Sequence, residues 1–385
     1  MGVNFEFATS TRIIFENGSF SKVPGLIKDF GSNVLIVTGK SKNLAHQLYE
    51  SLSEINIHSE IFSIHSEPEI FDIEQGTVLA RKTLCNVVIG IGGGSAVDSA
   101  KAIAALIPNK GKLSDYLEVI GKGRKLENAP LPFIAIPTTA GTGAEVTKNS
   151  VIKSTEHNVK VSLRSELMYP RLAVIDPELT LTMPPHLTAT TGVDALTHLL
   201  ETFVSNQSNP FIDMMCREGM KRISASLKLA FNDGNNLEAR ENMAMASMLG
   251  GMALANVKLG AVHGFAGPLG GMYPIPHGAV CACLLPAVME VNIKLLKEKK
   301  QEKVLLKFDE VARILTGNNS AAAVDGAIWV KNLVKKLLIP SLSDFQITAE
   351  SFPELIEKAK NSSSMKGNPV GLDNSQLHEI LIKSL

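Results

Sequence analysis

Hydrophobic and polar positions follow different repeats in the two halves of the chain. Between about residues 30 and 178, short apolar runs typical of β-strands alternate with longer segments of helical periodicity. The runs VLIV, VVIGI and FIAI are continuously apolar, as strands buried on both faces of a sheet are. This alternation predicts a doubly wound, Rossmann-like α/β domain with a mostly parallel sheet.

Beyond residue 178 the pattern changes to amphipathic helices separated by Gly, Pro or Asn clusters, with no convincing strand. The turn-rich segment DPELTLTMPP separates the two patterns. We therefore expect an α/β domain over residues 1–178 and an all-helical domain over residues 179–385. The predicted helices of the second domain are 188–205, 211–231, 237–257, 283–298, 303–316, 321–337, 350–360 and 375–384.

Composition narrows the class of partner. The chain has 38 Lys and Arg against 38 Asp and Glu, so no net field draws it to nucleic acid or to an anionic membrane. No apolar stretch is judged long enough to span a bilayer, and the N-terminus carries no export signal. We expect a protein whose partners are small molecules.

The cysteines are few and scattered, at positions 85, 216, 281 and 283. This usage suits a reducing compartment better than a disulfide framework, and we expect a cytoplasmic protein. Cys281 and Cys283 lie in the apolar run AVCACLLPAVM, where small buried thiols are expected. We therefore leave both out of the predicted site.

Two loops that follow buried strands predict a phosphate-binding edge. In CNVVIGIGGGSAVDSAKAIA, glycines allow close backbone approach, and the N–H groups of the following helix stabilise a pyrophosphate. A glycine triplet alone also fits any strand-to-helix turn. The second loop, PTTAGTGAEVT, brings threonine hydroxyls to the carboxyl end of the next strand, where Rossmann-like sheets bind ligands.

A second constellation predicts a metal. Asp194 and His198 are four residues apart in TGVDALTHLLETF, so both side chains leave the same helix face. His263 and His277 follow in a Gly-rich stretch, with thirteen residues between them. Taken singly, these residues fit a helix-start carboxylate and unrelated core or surface histidines. Together they favour a four-ligand metal site.

These motifs identify a family resemblance over nearly the whole chain. IGGGSAVDSAKAIA, PTTAGTGAEVT, DPELT, TGVDALTHLLE and the histidine pair resemble the iron-containing (group III) alcohol dehydrogenases in order and spacing. The resemblance implies a dehydroquinate synthase-like architecture with NAD(P) and a divalent metal in an interdomain cleft. The metal in that family is usually iron and sometimes zinc.

The resemblance also implies residue roles. The metal ligands, and with them the catalytic centre, fall on Asp194, His198, His263 and His277. Coenzyme contacts fall on three groups of residues: the pyrophosphate contacts Gly93, Gly94 and Ser95; Asp98 nearby; and the nicotinamide-side and ribose contacts Thr138, Thr139, Thr142, Asn149 and Lys160.

The chain departs from the family pattern at the adenosine ribose. Many members have an aspartate where this chain has Gly39, followed by Lys40. Loss of a carboxylate and gain of a cation favour the 2′-phosphate, so we expect NADP(H) to be preferred over NAD(H). Lys40 could equally be a solvated loop lysine. We expect iron(II) rather than zinc(II), although imidazole and carboxylate serve both.

A second departure concerns the proton. Many relatives place a histidine four residues after the third ligand, and this chain has Gly267 there. We expect proton exchange through the coenzyme ribose hydroxyl and ordered water. The predicted function is reversible hydride transfer between nicotinamide and a small primary alcohol or aldehyde held at the metal.

Three alternatives remain open at this point. One is a metal-independent enzyme resembling maleylacetate reductases. Another is a metal- and NAD-dependent lyase resembling dehydroquinate synthase, which should present a glutamate instead of Asp194 and a more basic cleft. The third is a non-catalytic nucleotide or metal sensor. The resemblance further suggests a homodimer or a higher homo-oligomer.

Overall fold

The computed structural model describes residues 4–385, which divide into two compact units. The α/β unit comprises Ala8–Thr139 and Gly143–Leu181. The helical unit comprises Ala140–Thr142, Thr182–Leu385 and the described residues up to Phe7. The segments 4–7 and 140–142 thus group with the helical unit, whereas a division at residue 178 places them in the first domain.

A parallel sheet forms the centre of the α/β unit, as the alternating pattern predicts. Its strand order is β1-β8-β5-β4-β2-β3, and each neighbouring pair is parallel. The strands of this sheet are β1 (Ile13–Phe15), β2 (Asn33–Thr38), β3 (His58–Ser63), β4 (Val87–Gly92), β5 (Phe133–Pro137) and β8 (Leu172–Ile175).

Apolar side chains cover both faces of this sheet because successive strand residues point to opposite sides. Val34 and Ile36 of β2 join one buried cluster, and Leu35 and Val37 join another. The helices of the unit are α1 (Val23–Ile27), α2 (Asn43–Glu54), α3 (Ile70–Lys82) and α4 (Gly94–Leu106). Helix α2 belongs to the first cluster, and α3 and α4 belong to the second. The unit is therefore doubly wound, as predicted.

One hairpin of the α/β unit escapes the sequence prediction. Strands β6 (Asn149–Ser154) and β7 (Val159–Arg164) pair antiparallel, with Ile152 opposite Val161. Burial alternates along β6, which is the signal that NSVIKS offered. Asn158 has φ +48° in the connecting turn, a conformation that asparagine tolerates well.

The helical unit contains the elements predicted after residue 178, with shifted ends and one addition. Its helices are α5 (Pro185–Val204), α6 (Pro210–Asn232), α7 (Leu237–Asn256), α8 (Ala261–Met272), α9 (His277–Glu298), α10 (Glu302–Thr316), α11 (Ala323–Lys336), α12 (Phe352–Lys360) and α13 (Asn374–Ser384).

Helix α8 and the first turns of α9 are absent from the prediction. Four glycines and Pro268 in AVHGFAGPLGGM oppose a helix by intrinsic propensity. Tertiary packing overrides that propensity, since most of α8 is buried. A Cβ at Gly264 would lie 2.7 Å from Cε of Met365, so glycine allows this close approach.

Helix α9 corrects a second expectation. Among the residues that the structure describes, α9 is long and apolar enough by composition to cross a membrane, contrary to the sequence prediction. Of its most apolar window, 83% is buried inside the protein. Such burial is the property of a core helix.

A buried lysine ties the second glycine-rich loop to α4. Lys101 is 1% exposed, and its Nζ donates to the carbonyls of Ala144 and Asn149 at 2.8 Å and to Oγ1 of Thr147 at 2.9 Å. Asp98 lies one turn earlier, with Oδ1 3.6 Å from that Nζ. Burial lowers the pKa of Lys101, and Asp98 opposes the shift. The ammonium thus fixes the loop through three hydrogen bonds.

We predict that Lys101→Met lowers the free energy of unfolding by about 3 to 5 kcal/mol, because it leaves Asp98 as an uncompensated buried charge. Urea unfolding followed by circular dichroism measures this change. The matched control is Lys82→Met, which changes an exposed lysine of α3 and should stay within about 0.5 kcal/mol of the parent. Equal unfolding midpoints for Lys101→Met and the parent would contradict the anchoring role.

Candidate metal centre

The first two predicted ligands lie on α5. Asp194 and His198 are four residues apart, so they leave the same face of the helix. Both are buried, at 1% and 4% exposure. Nε2 of His198 lies 3.7 Å from Oδ1 of Asp194. The helix period thus accounts for this half of the cluster.

His263 on α8 and His277 at the start of α9 complete the cluster. Their Nε2 atoms lie 3.6 Å and 3.7 Å from Oδ1 of Asp194. One donor atom from each of the four residues lies within 4.8 Å of the other three. The structure therefore brings together the four residues that the sequence selected. Only the His277 side chain is substantially exposed, at 36%.

The electrostatics of the cluster centre on Asp194. Burial raises its pKa, but His198, His277 and His263 outweigh burial and hold that pKa well below 3.8. Burial lowers the pKa of His198 to about 4, although Asp194 and Glu201 oppose the shift. At neutral pH the cluster thus offers an ionised carboxylate and a neutral imidazole.

The third imidazole has a carboxylate partner that the sequence prediction missed. Oε2 of the buried Glu201 lies 2.7 Å from Nδ1 of His263. Burial lowers the pKa of His263, but Cys281, Asp194 and Glu201 outweigh it and hold that pKa well above 6.5. A proton on this ring and a divalent cation are alternative ways to balance the buried carboxylates.

The cluster fits a divalent metal on two observations. Within the described chain, Oδ1 of Asp194 is buried and has no hydrogen-bond partner, which is costly for a carboxylate oxygen. Donors about 2.1 Å from a tetrahedral ion stand roughly 3.4 Å apart, close to the three distances from this oxygen. Three imidazoles and a carboxylate suit iron(II) and zinc(II) alike.

Cys281, which was not a predicted site residue, lies against the same cluster. Its Sγ is 3.7 Å from Nε2 of His263 and 3.8 Å from Nε2 of His277. Burial raises the pKa of this thiol to about 12. Cys281 follows His277 by one helical turn, and that i, i+4 spacing was the available signal.

The structure places two predicted coenzyme loops side by side in the α/β unit. Gly93 precedes the first turn of α4, and a Cβ there would lie 3.4 Å from Cγ2 of Thr139. The N–H of Thr138 donates to the carbonyl of Gly92 at 2.9 Å. Gly94 and Ser95 form the start of α4, where N–H groups remain available to an anion.

Three further coenzyme candidates have contacts inside the protein. Oδ2 of Asp98 accepts from the N–H of Val151 at 2.9 Å. The carbonyl of Asn149 accepts from Lys101, and Nζ of Lys160 donates to Glu67 at 2.5 Å. Asp98 is therefore bonded to the β6–β7 hairpin. Lys160 must break its ion pair with Glu67 before it can contact a coenzyme.

The remaining coenzyme candidates are Gly39, Lys40 and Thr142. Gly39 follows β2, and Lys40 beside it is exposed. A Cβ at Gly39 would meet no atom within 4 Å. Thr142 groups with the helical unit rather than with Thr138 and Thr139.

Comparison with known proteins assigns both halves of the chain to one family. Residues 10–177 match the model described as iron-containing alcohol dehydrogenase, and residues 188–385 match that of the Fe-containing alcohol dehydrogenase family, C-terminal. The chain belongs to the iron-containing alcohol dehydrogenases.

Relatives of this family align along nearly the whole chain. Alcohol dehydrogenase 4 of Saccharomyces cerevisiae is 35% identical over 377 residues, 96% of each chain. NAD-dependent methanol dehydrogenase of Bacillus methanolicus is 31% identical over 367 residues, 92% of this chain and 93% of the relative. The crystal structure of a 1,3-propanediol oxidoreductase has a TM-score of 0.91 at 31% identity and covers 99% of this chain and 100% of its own.

As a member of this family, the protein is an oxidoreductase that acts on CH–OH groups. Membership implies NAD(H) and a divalent metal, which the Asp194 cluster suits. Asp194 in place of the glutamate expected for a dehydroquinate synthase-type lyase agrees with this assignment.

A buried glutamate lies in the second glycine-rich loop of this alcohol dehydrogenase. Glu145 is 3% exposed and lies two residues after Gly143, whose φ is +62°. Burial raises its pKa from 4.5 to about 7, although its own backbone N–H and Lys101 oppose the shift. The loop therefore contains a carboxyl group that titrates near neutral pH.

Linkage gives this group a defined effect on stability. Between pH 4.5 and about 7 the folded protein binds a proton at Glu145 that the unfolded chain releases, so stability falls as the pH rises through this range. We predict that Glu145→Gln removes this loss. From pH 5 to pH 8 its unfolding free energy should gain roughly 2 to 3 kcal/mol relative to the parent.

Urea unfolding at a series of pH values measures the difference. Glu156→Gln, which changes an exposed glutamate of the β6–β7 turn, is the control and should parallel the parent. If the Glu145→Gln curve also runs parallel to the parent, the raised pKa is wrong.

Proposed function

We propose that this alcohol dehydrogenase reversibly transfers hydride between a nicotinamide coenzyme and a small primary alcohol or aldehyde, at a metal held by Asp194, His198, His263 and His277. The supporting observation is the convergence of three Nε2 atoms, at 3.6 to 3.7 Å, on one buried and unpartnered carboxylate oxygen. When bound, a divalent metal acts as a Lewis acid toward the substrate oxygen, and the nicotinamide accepts or donates the hydride.

The charge of the donor set suits this chemistry. Asp194 contributes one negative charge, and neutral imidazoles contribute none. With this donor set, a bound divalent ion would keep net positive charge and would suit negative charge on the substrate oxygen. The buried positions of Asp194, His198 and His263 exclude water from three of the four donors and strengthen this electrostatic effect.

The glycine-rich loops hold the coenzyme in this proposal. Gly93 and Gly94 admit the pyrophosphate to the N-terminus of α4, where the helix dipole favours negative charge. Thr138 and Thr139 offer hydroxyls on the neighbouring strand end. Gly267 carries no group that can take up a proton, so the route through the ribose hydroxyl and water stays a prediction.

Finer assignments complete the proposal. We infer iron(II) as the metal in preference to zinc(II), from the family. The resemblance supports a homo-oligomer. The four scattered cysteines, all buried, support a cytoplasmic location.

Metal removal tests the proposal. We predict that chelation lowers kcat by about 100-fold or more and that Fe(II) or Zn(II) restores it, because a Lewis acid supplies several kcal/mol to the transition state. The measurement is absorbance of the reduced nicotinamide with a panel of aldehydes and alcohols. His277→Ala should lose turnover similarly while coenzyme binding, followed by nicotinamide fluorescence, is retained.

The control is His186→Ala, which removes an exposed histidine of α5 and should keep full activity. Unchanged turnover of the stripped protein would contradict the proposal and support the metal-independent alternative that resembles maleylacetate reductases.

Coenzyme preference is a separate prediction. We propose that NADP(H) is preferred over NAD(H), because Lys40 offers a cation where a carboxylate would repel the 2′-phosphate. Gly39→Asp introduces that carboxylate into open space and should shift the ratio of kcat/KM for NADPH over NADH at least tenfold toward NADH, equivalent to about 1.4 kcal/mol.

Lys40→Ala should lower kcat/KM for NADPH severalfold and leave the value for NADH nearly unchanged. Lys28→Ala, at another exposed lysine of the α/β unit, is the control. An unaltered ratio in both Gly39→Asp and Lys40→Ala is the result that would overturn the preference.

A further inference from the structure

Glu201 is a buried carboxylate that the proposed chemistry leaves without a role. It is 3% exposed and lies on α5, seven residues after Asp194 and three after His198. This spacing puts Glu201 on the same helix face as both ligands. An unpaired carboxylate is rarely buried so deeply, and its contacts explain the burial.

Both oxygens of Glu201 accept hydrogen bonds from α8. Oε1 accepts from the N–H of Val262 at 2.7 Å, and Oε2 lies 2.7 Å from Nδ1 of His263. The carboxylate occupies a close-fitting slot, since a Cβ at Gly260 would lie 2.8 Å from Oε1. One side chain of α5 thus fixes both the first turn of α8 and the ring that α8 carries.

The acceptor character of this carboxylate determines which nitrogen of His263 faces the cluster. An ionised carboxylate can only accept, so Nδ1 carries a hydrogen. When a metal replaces the second ring proton, Nε2 is then the nitrogen whose lone pair faces it. In the structure this Nε2 lies 3.6 Å from Oδ1 of Asp194.

We propose that Glu201 is a positioning residue that holds His263 in the orientation and tautomer required for metal binding. The inference rests on the proposed metal-dependent function. It assigns Glu201 no contact with the metal, the coenzyme or the substrate.

A purely structural role is the competing explanation, and Glu201→Gln separates the two. Glutamine has the same shape but one acceptor oxygen for two donors. The backbone N–H of Val262 can only donate a hydrogen bond, whereas Nδ1 of His263 can either donate or accept one. The amide NH₂ then faces Nδ1 and moves the hydrogen to Nε2, which blocks the metal-binding nitrogen.

Metal affinity of the purified apoprotein is the first readout, measured with Zn²⁺ alone in competition with a chromophoric chelator. The parent should bind Zn²⁺, and Glu201→Gln should bind it about 10- to 100-fold more weakly. Thr202→Val is the matched control, because Thr202 is a fully buried neighbour on α5. Among residues 4–385, its hydroxyl bonds only backbone carbonyls and Cys216. This variant should retain parental affinity.

The double variant Glu201→Gln/His263→Ala shows whether Glu201 acts through His263. In the His263→Ala background, Glu201→Gln should cause no further loss of Zn²⁺ affinity. A persistent loss would mean that the negative charge of Glu201 acts directly on the ion, and this result would overturn the positioning role.

A third readout requires no Glu201 variant and so does not depend on that variant folding. ¹⁵N NMR of the zinc-loaded parent should show His263 protonated at Nδ1 and coordinated through Nε2, with His263→Ala used to assign the signals. Coordination through Nδ1 would refute the inference.

The outcomes distinguish the two proposals. A parent apoprotein that binds no Zn²⁺ refutes the metal-dependent function itself. A parent that binds Zn²⁺ while Glu201→Gln binds it equally well, or no worse than Thr202→Val, refutes only the role of Glu201.

Discussion

The burial of Asp194 is the constraint on which the helical unit depends. A carboxylate at 1% exposure costs several kcal/mol unless positive charge and hydrogen bonds compensate it. Here the compensation comes from three imidazoles at nearly equal distances from one oxygen. Rings that surround an anion in this way must share either a proton or a cation. The cluster therefore suits a divalent cation, which is the occupant we propose for it.

Small residues allow the helices to approach closely enough for this convergence. A Cβ at Gly250 of α7 would lie 3.3 Å from Cβ of His198, and one at Gly278 of α9 would lie 2.6 Å from the carbonyl oxygen of Thr190. A Cβ at Gly141 would lie 2.5 Å from Cβ of Thr191. The backbone of other segments thus packs closely against α5 on several sides. Side chains in these positions would separate the helices and the donors they carry.

The sequence predicted what periodicity and spacing can encode. The strand alternation and the pair Asp194 and His198 depend on local repeats, and the structure has both. Helix α8 lay beyond that reasoning, because its glycines indicate a loop and only its buried surroundings make it helical. Glu201 was missed for a related reason. Its role depends on Val262 and His263, about sixty residues away, which no local pattern reveals.

The coenzyme residues show where resemblance alone is insufficient. Asp98 and Lys160 form hydrogen bonds to other residues of the α/β unit. An equivalent position in a relative therefore does not by itself establish a contact with a ligand. Gly93 and Thr139 are more informative, because the structure places them next to each other at the end of the sheet.

The uneven exposure of the four donors has a consequence for exchange. His277 is 36% exposed, whereas the side chains of Asp194, His198 and His263 are exposed by 2%, 5% and 7%. His277, the first residue of α9, is thus the donor most exposed to solvent. We therefore expect a metal held by these four donors to exchange on the side of His277.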